Sequence, residues 1–160
     1  MKKRDEAIMA GQYYEQLEVG RIFQHEIRRT VTEMDNVLFS ALTHNPAALH
    51  IDEEYCRNNT EFGRRIVNSA FTLGLVVGVS VGDTTLGTTV GNLGFEEIRF
   101  PAPLFHGDTV RVETEVMSRR ESSSRPNAGI VVFEHRGFNQ NDVLVARCRR
   151  TALMLKKSAT

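Results

Sequence analysis

Cysteine is scarce: Cys56 and Cys148 are the only two in 160 residues, and no CxxC pair exists. A disulfide framework and a zinc site are therefore not expected, and two reduced thiols, as in a cytoplasmic protein, are. Excess charge is missing too. Lys plus Arg and Asp plus Glu stand at 20 each, for a formal net charge of +0. That argues against a general electrostatic grip on nucleic acid or on an anionic membrane. The opening stretch MKKRDEAIMAGQYYEQL has basic residues with no apolar run behind them, so it does not read as a signal peptide. No segment has the unbroken apolar length of a membrane span. P-loop, GxGxxG, HExxH and GxSxG patterns are all lacking. No metal and no cofactor is expected.

The length suits one domain with a core of its own. Hydrophobic residues make up 41% and charged residues 25%, close to the globular average. Residues 1–12 read as a loose tail and 13–160 as a single domain.

Periodicity divides that domain. IFQHEIRRTVT (22–32) alternates as a strand. In TEMDNVLFSALT (32–43), Thr32 and Asp35 form a capping-box pair ahead of a helix. Val37, Leu38, Ala41 and Leu42 make its apolar stripe. Asn45-Pro46 ends it, and DEEYCRN (52–58) reads as a short helix capped by Asp52. VNSAFTLGLVVGVSVGDT (67–84) has the length of a helix, with Gly74, Gly78 and Gly82 at four-residue spacing. Being apolar nearly all round, it should be buried on most sides. Strands follow over 88–100, 109–121, 130–140 and 143–157, the last two joined by Asn141-Asp142. Val110, Val112, Thr114 and Val116 share one face. Strands joined in series should pair as a meander. The expected fold class is α+β: an antiparallel sheet carrying one long helix. A helix so apolar needs more cover than one sheet supplies, which points to a homodimer.

Two places carry chemistry. Asn45 and His50 lie five apart after the first helix. A neutral imidazole accepts a proton near pH 7, and an amide beside it can hold a water. The same residues are also what a plain helix-ending turn would contain. The second place is the start of the long helix, Asn68-Ser69-Ala70. Its free N–H groups favour negative charge, such as an oxyanion on a thioester carbonyl. Asn68 or Ser69 caps the helix in either case. His106 reads as structural. Arg64 and Arg65 could meet a phosphate or carboxylate, and Arg147 and Arg149 share a solvated sheet face.

The blocks FSALTHNPAALHIDEEYC, FGRRIVNSAFTLGLVVG and GNLGFEEIRFPAPLFHGDTVRVETEV resemble the MaoC-like dehydratase family, which includes the (R)-specific enoyl-CoA hydratases. The resemblance runs from about Tyr14 to Lys157. It implies a hot-dog fold, a dimer or dimer of dimers, and a CoA thioester as substrate. The family signature, Ser-Gly-Asp-x-Asn-Pro-x-His, sets Thr43 in the Ser place and His44 in the Gly place. Asn45 falls on the catalytic Asp and His50 on the catalytic His. Ala47-Ala48 replace Asn-Pro. Asn68-Ser69 replace His-Gly, so the oxyanion donor becomes the N–H of Ser69 or Ala70. Asn cannot accept a proton, so His50 is left to do the acid–base work while Asn45 positions water.

FxxLTxNxxxLHxD and RRESSSRPNAGIV…GFNQ further resemble the branch acting on mesaconyl-CoA or itaconyl-CoA. That branch would ask for a cation to meet the free carboxylate, and His44, Arg64, Arg65 and Arg125 are the candidates. Two other functions stay open. One is a non-catalytic acyl-CoA-binding subunit, suggested by the missing Asp. The other is a thioesterase, disfavoured because residues 68–82 contain no acid.

Overall fold

The computed structural model describes residues 11–157. Of the expected tail, residues 1–10 lie outside that range. Gly11 and Gln12 hydrogen-bond to the carbonyls of Leu86 and Thr84. The elements run β1 (Ile22–Gln24), β2 (Arg29–Thr30), α1 (Glu33–Leu42), α2 (Ala48–Ile51), α3 (Glu53–Asn59), α4 (Ser69–Thr84), β3 (Thr89–Arg99), β4 (Thr109–Glu121), β5 (Ala128–Phe138) and β6 (Leu144–Leu155). The sheet order is β1-β4-β5-β6-β3, with β2 also on β4, and the pairings are antiparallel. This is a hot-dog arrangement, a sheet wrapped around α4.

Only β4, β5 and β6 form the expected meander. The breaker PAPLFHGD carries the chain from β3 across the sheet to β4, so β3 becomes an edge strand beside β6. The single strand expected over 22–32 is broken in two. His25 turns its ring into the interior there, bonding Asp83 through Nδ1 at 2.6 Å and Thr114 through Nε2 at 2.8 Å. Thr114 Oγ1 bonds His135 Nδ1 in turn, at 2.8 Å. Burial, followed by the charges of Arg150 and His25, holds His135 well below the ordinary imidazole range.

The α1 capping box forms as read. Thr32 Oγ1 accepts the Asp35 N–H, and the Asp35 carboxylate accepts the Thr32 N–H. Its apolar stripe, however, does not face the core. Leu38, Ala41 and Leu42 are exposed and Val37 is half-buried, while Asn36 and Ser40 are buried. The helix packs this side inward because Asn36 carries hydrogen bonds to the segments beneath. Phe39 reaches α4, edge-on to Phe71 at 5.7 Å.

Helix α4 starts at a cap, Asn68 Oδ1 accepting the Ala70 N–H at 3.0 Å. Val76 and Val79 bury against Val110, Val112, Val145 and Ala146 of the sheet. Contact is close at Gly137 on β5, where an added Cβ would come within 2.4 Å of Val76 Cγ2. The opposite side of α4 is not covered as expected. Gly74 and Gly78 are exposed, and a Cβ on either would meet nothing within 4 Å. One sheet covers one side, and the glycine seam stays open. Both cysteines are free and buried, and burial pushes the Cys148 thiol up to about 11.

Candidate active site

Three short segments build the site around the start of α4. The first is the turn after α1. Asn45 Oδ1 accepts the Ala47 N–H at 3.0 Å, an Asx turn that swings the chain into α2. With its oxygen engaged, the side chain has its NH2 group left as a donor. His44 just before it takes a positive φ of 54°, the left-handed conformation for which glycine is best suited. That agrees with a Gly place in the signature. The His44 side chain is exposed.

The second segment is α2, which buries His50 to 9% exposure. His50 Nδ1 lies 2.9 Å from the Ile66 carbonyl. A carbonyl only accepts, so Nδ1 carries the proton and the neutral ring presents its lone pair at Nε2. Nε2 makes no hydrogen bond among the described residues, nor is it one of the sealed unpartnered atoms. The bond fixes the tautomer a general base needs.

The third segment is the strap from Glu61 to Asn68. It ends at α4 beside a pocket of about 360 Å³, walled by Phe62, Ile66, Ser69, Thr72, Leu104 and Val145 among others. The pocket is mainly apolar, with Ser69 at the helix start. Asn68 is buried and takes the Ala70 N–H for its own cap. Of the two expected oxyanion donors, Ala70 is therefore already engaged. The Ser69 N–H is the one that the first turn of the helix leaves free.

The candidate cations separate clearly. Arg65 is held by Glu33 at 2.7 Å and Glu53 at 3.0 Å, which fastens the strap to α1 and α3. Its charge is not available to a substrate. Arg125 is exposed in the β4–β5 loop. β4 starts beside the site and has 13 residues, so its far end lies about 40 Å away at the rise of an extended strand. The fold does not bring Arg125 to His50 of the same chain. Arg64 stacks its guanidinium on the Phe105 ring at 3.6 Å and forms no ion pair among the described residues. Arg147 and Arg149 both pair with Glu97.

Sequence reasoning missed Asn36 and set His106 aside. Asn36 is 0% exposed. Its Nδ2 donates to His106 Nε2 at 2.9 Å, and burial plus the Arg65 charge pushes that imidazole below its ordinary range. The legible signal was a polar pair, Asn36 and Ser40, at i and i+4 among the apolar residues that follow the first turn of α1. Among the described residues no group of His, Cys, Asp and Glu could hold a metal. No described helix is long and apolar enough to cross a membrane.

Residues 15–135 match the MaoC like domain. Mesaconyl-CoA hydratase of Cereibacter sphaeroides is 32% identical over 148 residues, covering 92% of this chain and 42% of that protein. Beta-methylmalyl-CoA dehydratase of Chloroflexus aurantiacus is 27% identical, over 92% of this chain and 41% of its own length. The chain thus spans under half of these curated relatives. Among solved structures, a protein from Archaeoglobus titled monoamine oxidase regulatory protein superposes with a TM-score of 0.81 at 28% identity. The match covers 92% of this chain and 97% of that one.

Proposed function

The chain belongs to the MaoC-like dehydratase family, and from that premise we propose that it reversibly hydrates a short 2-enoyl-CoA, with His50 as the acid–base group. One observation carries the reading. The bond from His50 Nδ1 to the Ile66 carbonyl leaves Nε2 as the basic nitrogen. In the hydration direction, Nε2 takes a proton from water and the hydroxide adds at Cβ. Electron density moves onto the thioester oxygen, where the Ser69 N–H and the positive end of α4 stabilise it. The imidazolium then returns its proton to Cα, and His50 is neutral again. Asn45 donates from its NH2 group to hold the water. Coenzyme A is part of the substrate, so the reaction needs no separate cofactor.

Mesaconyl-CoA is the substrate we favour, given the name of a relative, and itaconyl-CoA is the alternative that the sequence resemblance offers. Arg64 is then the cation we favour for the free carboxylate, since Arg65 is paired, Arg125 lies far from His50 of the same chain and the His44 side chain is exposed. Arg64→Ala should raise KM for mesaconyl-CoA roughly tenfold, about 1.4 kcal/mol, and leave crotonyl-CoA within twofold. An equal rise for both would reassign Arg64 to the CoA portion. Loss of enoyl absorbance with mesaconyl-, itaconyl- or crotonyl-CoA tests the activity itself, and no reaction with any of them ends the proposal.

The engaged Asn45 oxygen favours a second reading, a non-catalytic acyl-CoA-binding subunit. Tight acyl-CoA binding without turnover, unchanged in Asn45→Asp, would select it. A thioesterase fits less well. The one acid of α4, Asp83, sits in its last turn and is bonded to His25. We also read the assembly as a homodimer. The glycine seam of α4 is open, and the edge strand β3 exposes Val90, Leu93 and Phe95. Sedimentation at micromolar concentration should give twice the 18.0 kDa chain mass, and a monomer there would refute it.

A further inference from the structure

We infer that Asn36 is the positioning residue of this site, a single buried amide that locks the His50 turn to the start of α4. The inference rests on the reading of His50 as the acid–base group.

Asn36 belongs to α1, yet none of its side-chain partners does. Nδ2 donates to the His50 carbonyl at 3.0 Å and to the Ile66 carbonyl at 3.1 Å. His106 Nε2 lies 2.9 Å from the same nitrogen, so the two amide hydrogens are shared among three acceptors. Oδ1 accepts the Asn68 N–H at 2.8 Å. These partners sit on α2, on the strap, on the β3–β4 connection and at the cap of α4. They are the segments that hold the proposed base, the acceptor that sets its tautomer, and the proposed oxyanion donor.

The Ile66 carbonyl is the pivotal atom. It receives Asn36 Nδ2–H on one side and His50 Nδ1–H on the other. A carbonyl oxygen has two lone pairs, and here both are filled. The amide therefore fixes the direction in which that oxygen meets the imidazole. It also holds Asn68 in place, and Asn68 sets where the first N–H groups of α4 point. Base and oxyanion donor are thus placed relative to each other through one side chain. A purely structural polar residue has no reason to collect partners from each wall of one site. An apolar residue would pack α1 at lower desolvation cost.

The experiment uses the full chain as parent, Asn36→Ala and Asn36→Ser, with mesaconyl-, itaconyl- and crotonyl-CoA. Turnover is measured per folded molecule, and His50 is followed by imidazole 15N NMR, assigned by its absence in His50→Ala. The parent should show Nδ1-protonated His50. The variants should lose about 100-fold in kcat, the scale of a sub-ångström to ångström misplacement, with KM within about twofold. Their His50 should show both tautomers. Parental kcat and an unchanged tautomer, with only a lower melting temperature, would make Asn36 structural and overturn the inference. If neither variant folds, Asn36→Asp, which keeps the acceptor for Asn68 and removes the donor to Ile66, decides: parental kcat and tautomer refute the inference, and mixed tautomers with lowered kcat support it. Failure of the underlying reading looks different, since His50→Ala would then match the parent rate.

Discussion

His50→Ala is expected to lower kcat by about 10³-fold while leaving the fold intact, within the range for loss of a general acid–base group. The effect is large because the other groups of that turn do not replace it: the second imidazole there, His44, is exposed rather than held against the strap. Asn45 is an amide, and His106 has its Nε2 bonded to Asn36. The fold should tolerate the change. The ring contributes one hydrogen bond, to Ile66, and that carbonyl keeps Asn36 as a donor. Stability should fall by only about 1 kcal/mol. KM should move little, since Nε2 acts on water rather than on the thioester. A variant retaining more than a tenth of the parent kcat would remove His50 from the chemistry.

Phe133→Ala should have the largest effect on stability, about 3–5 kcal/mol. Phe133 is fully buried at 0% exposure, in a cluster with Tyr14, Leu17, Phe23, Val116 and Met154. Its ring also stacks on His135 at 5.9 Å and lies 5.4 Å under the Arg150 guanidinium. Truncation opens a cavity and strips that buried cation of the ring beneath it. The melting temperature should fall by on the order of 10 °C for a domain of this size. Activity per folded molecule should be preserved, because this cluster is distinct from the one under the start of α4. A loss under about 1 kcal/mol in chemical denaturation would show that the cluster collapses around the gap.

Much of this was legible because it is local. The Thr32–Asp35 box, the Asp52 cap of α3, the α4 span and the alternation of β4 each depend on residues within a few positions. The left-handed turn at His44 could be anticipated from a Gly place in the resembling signature. What was not legible depends on distance along the chain. Asn36 meets partners 14, 30, 32 and 70 residues away, and no window of sequence contains them. The same hub explains the reversed stripe of α1. Hydrophobic periodicity ranks faces by oil, whereas this helix is held on its polar side by one buried amide, Asn36. The pairing of Arg65 was hidden for a related reason, since Glu33 lies 32 residues earlier, on α1.

The string from Asp83 through His25 and Thr114 to His135 has a direction. A carboxylate can only accept, so His25 donates from Nδ1. When that ring is neutral, Nε2 must accept from the Thr114 hydroxyl. The hydroxyl has one hydrogen, so it must accept from His135 Nδ1. Each polarity follows from the one before, beginning at a carboxylate that solvent can reach and ending at a ring that it cannot. A second proton on His25 would reverse the Thr114 hydroxyl and switch the tautomer of His135 together. The exterior is thereby wired to the deepest part of the sheet, and the message travels with no atom heavier than hydrogen changing place.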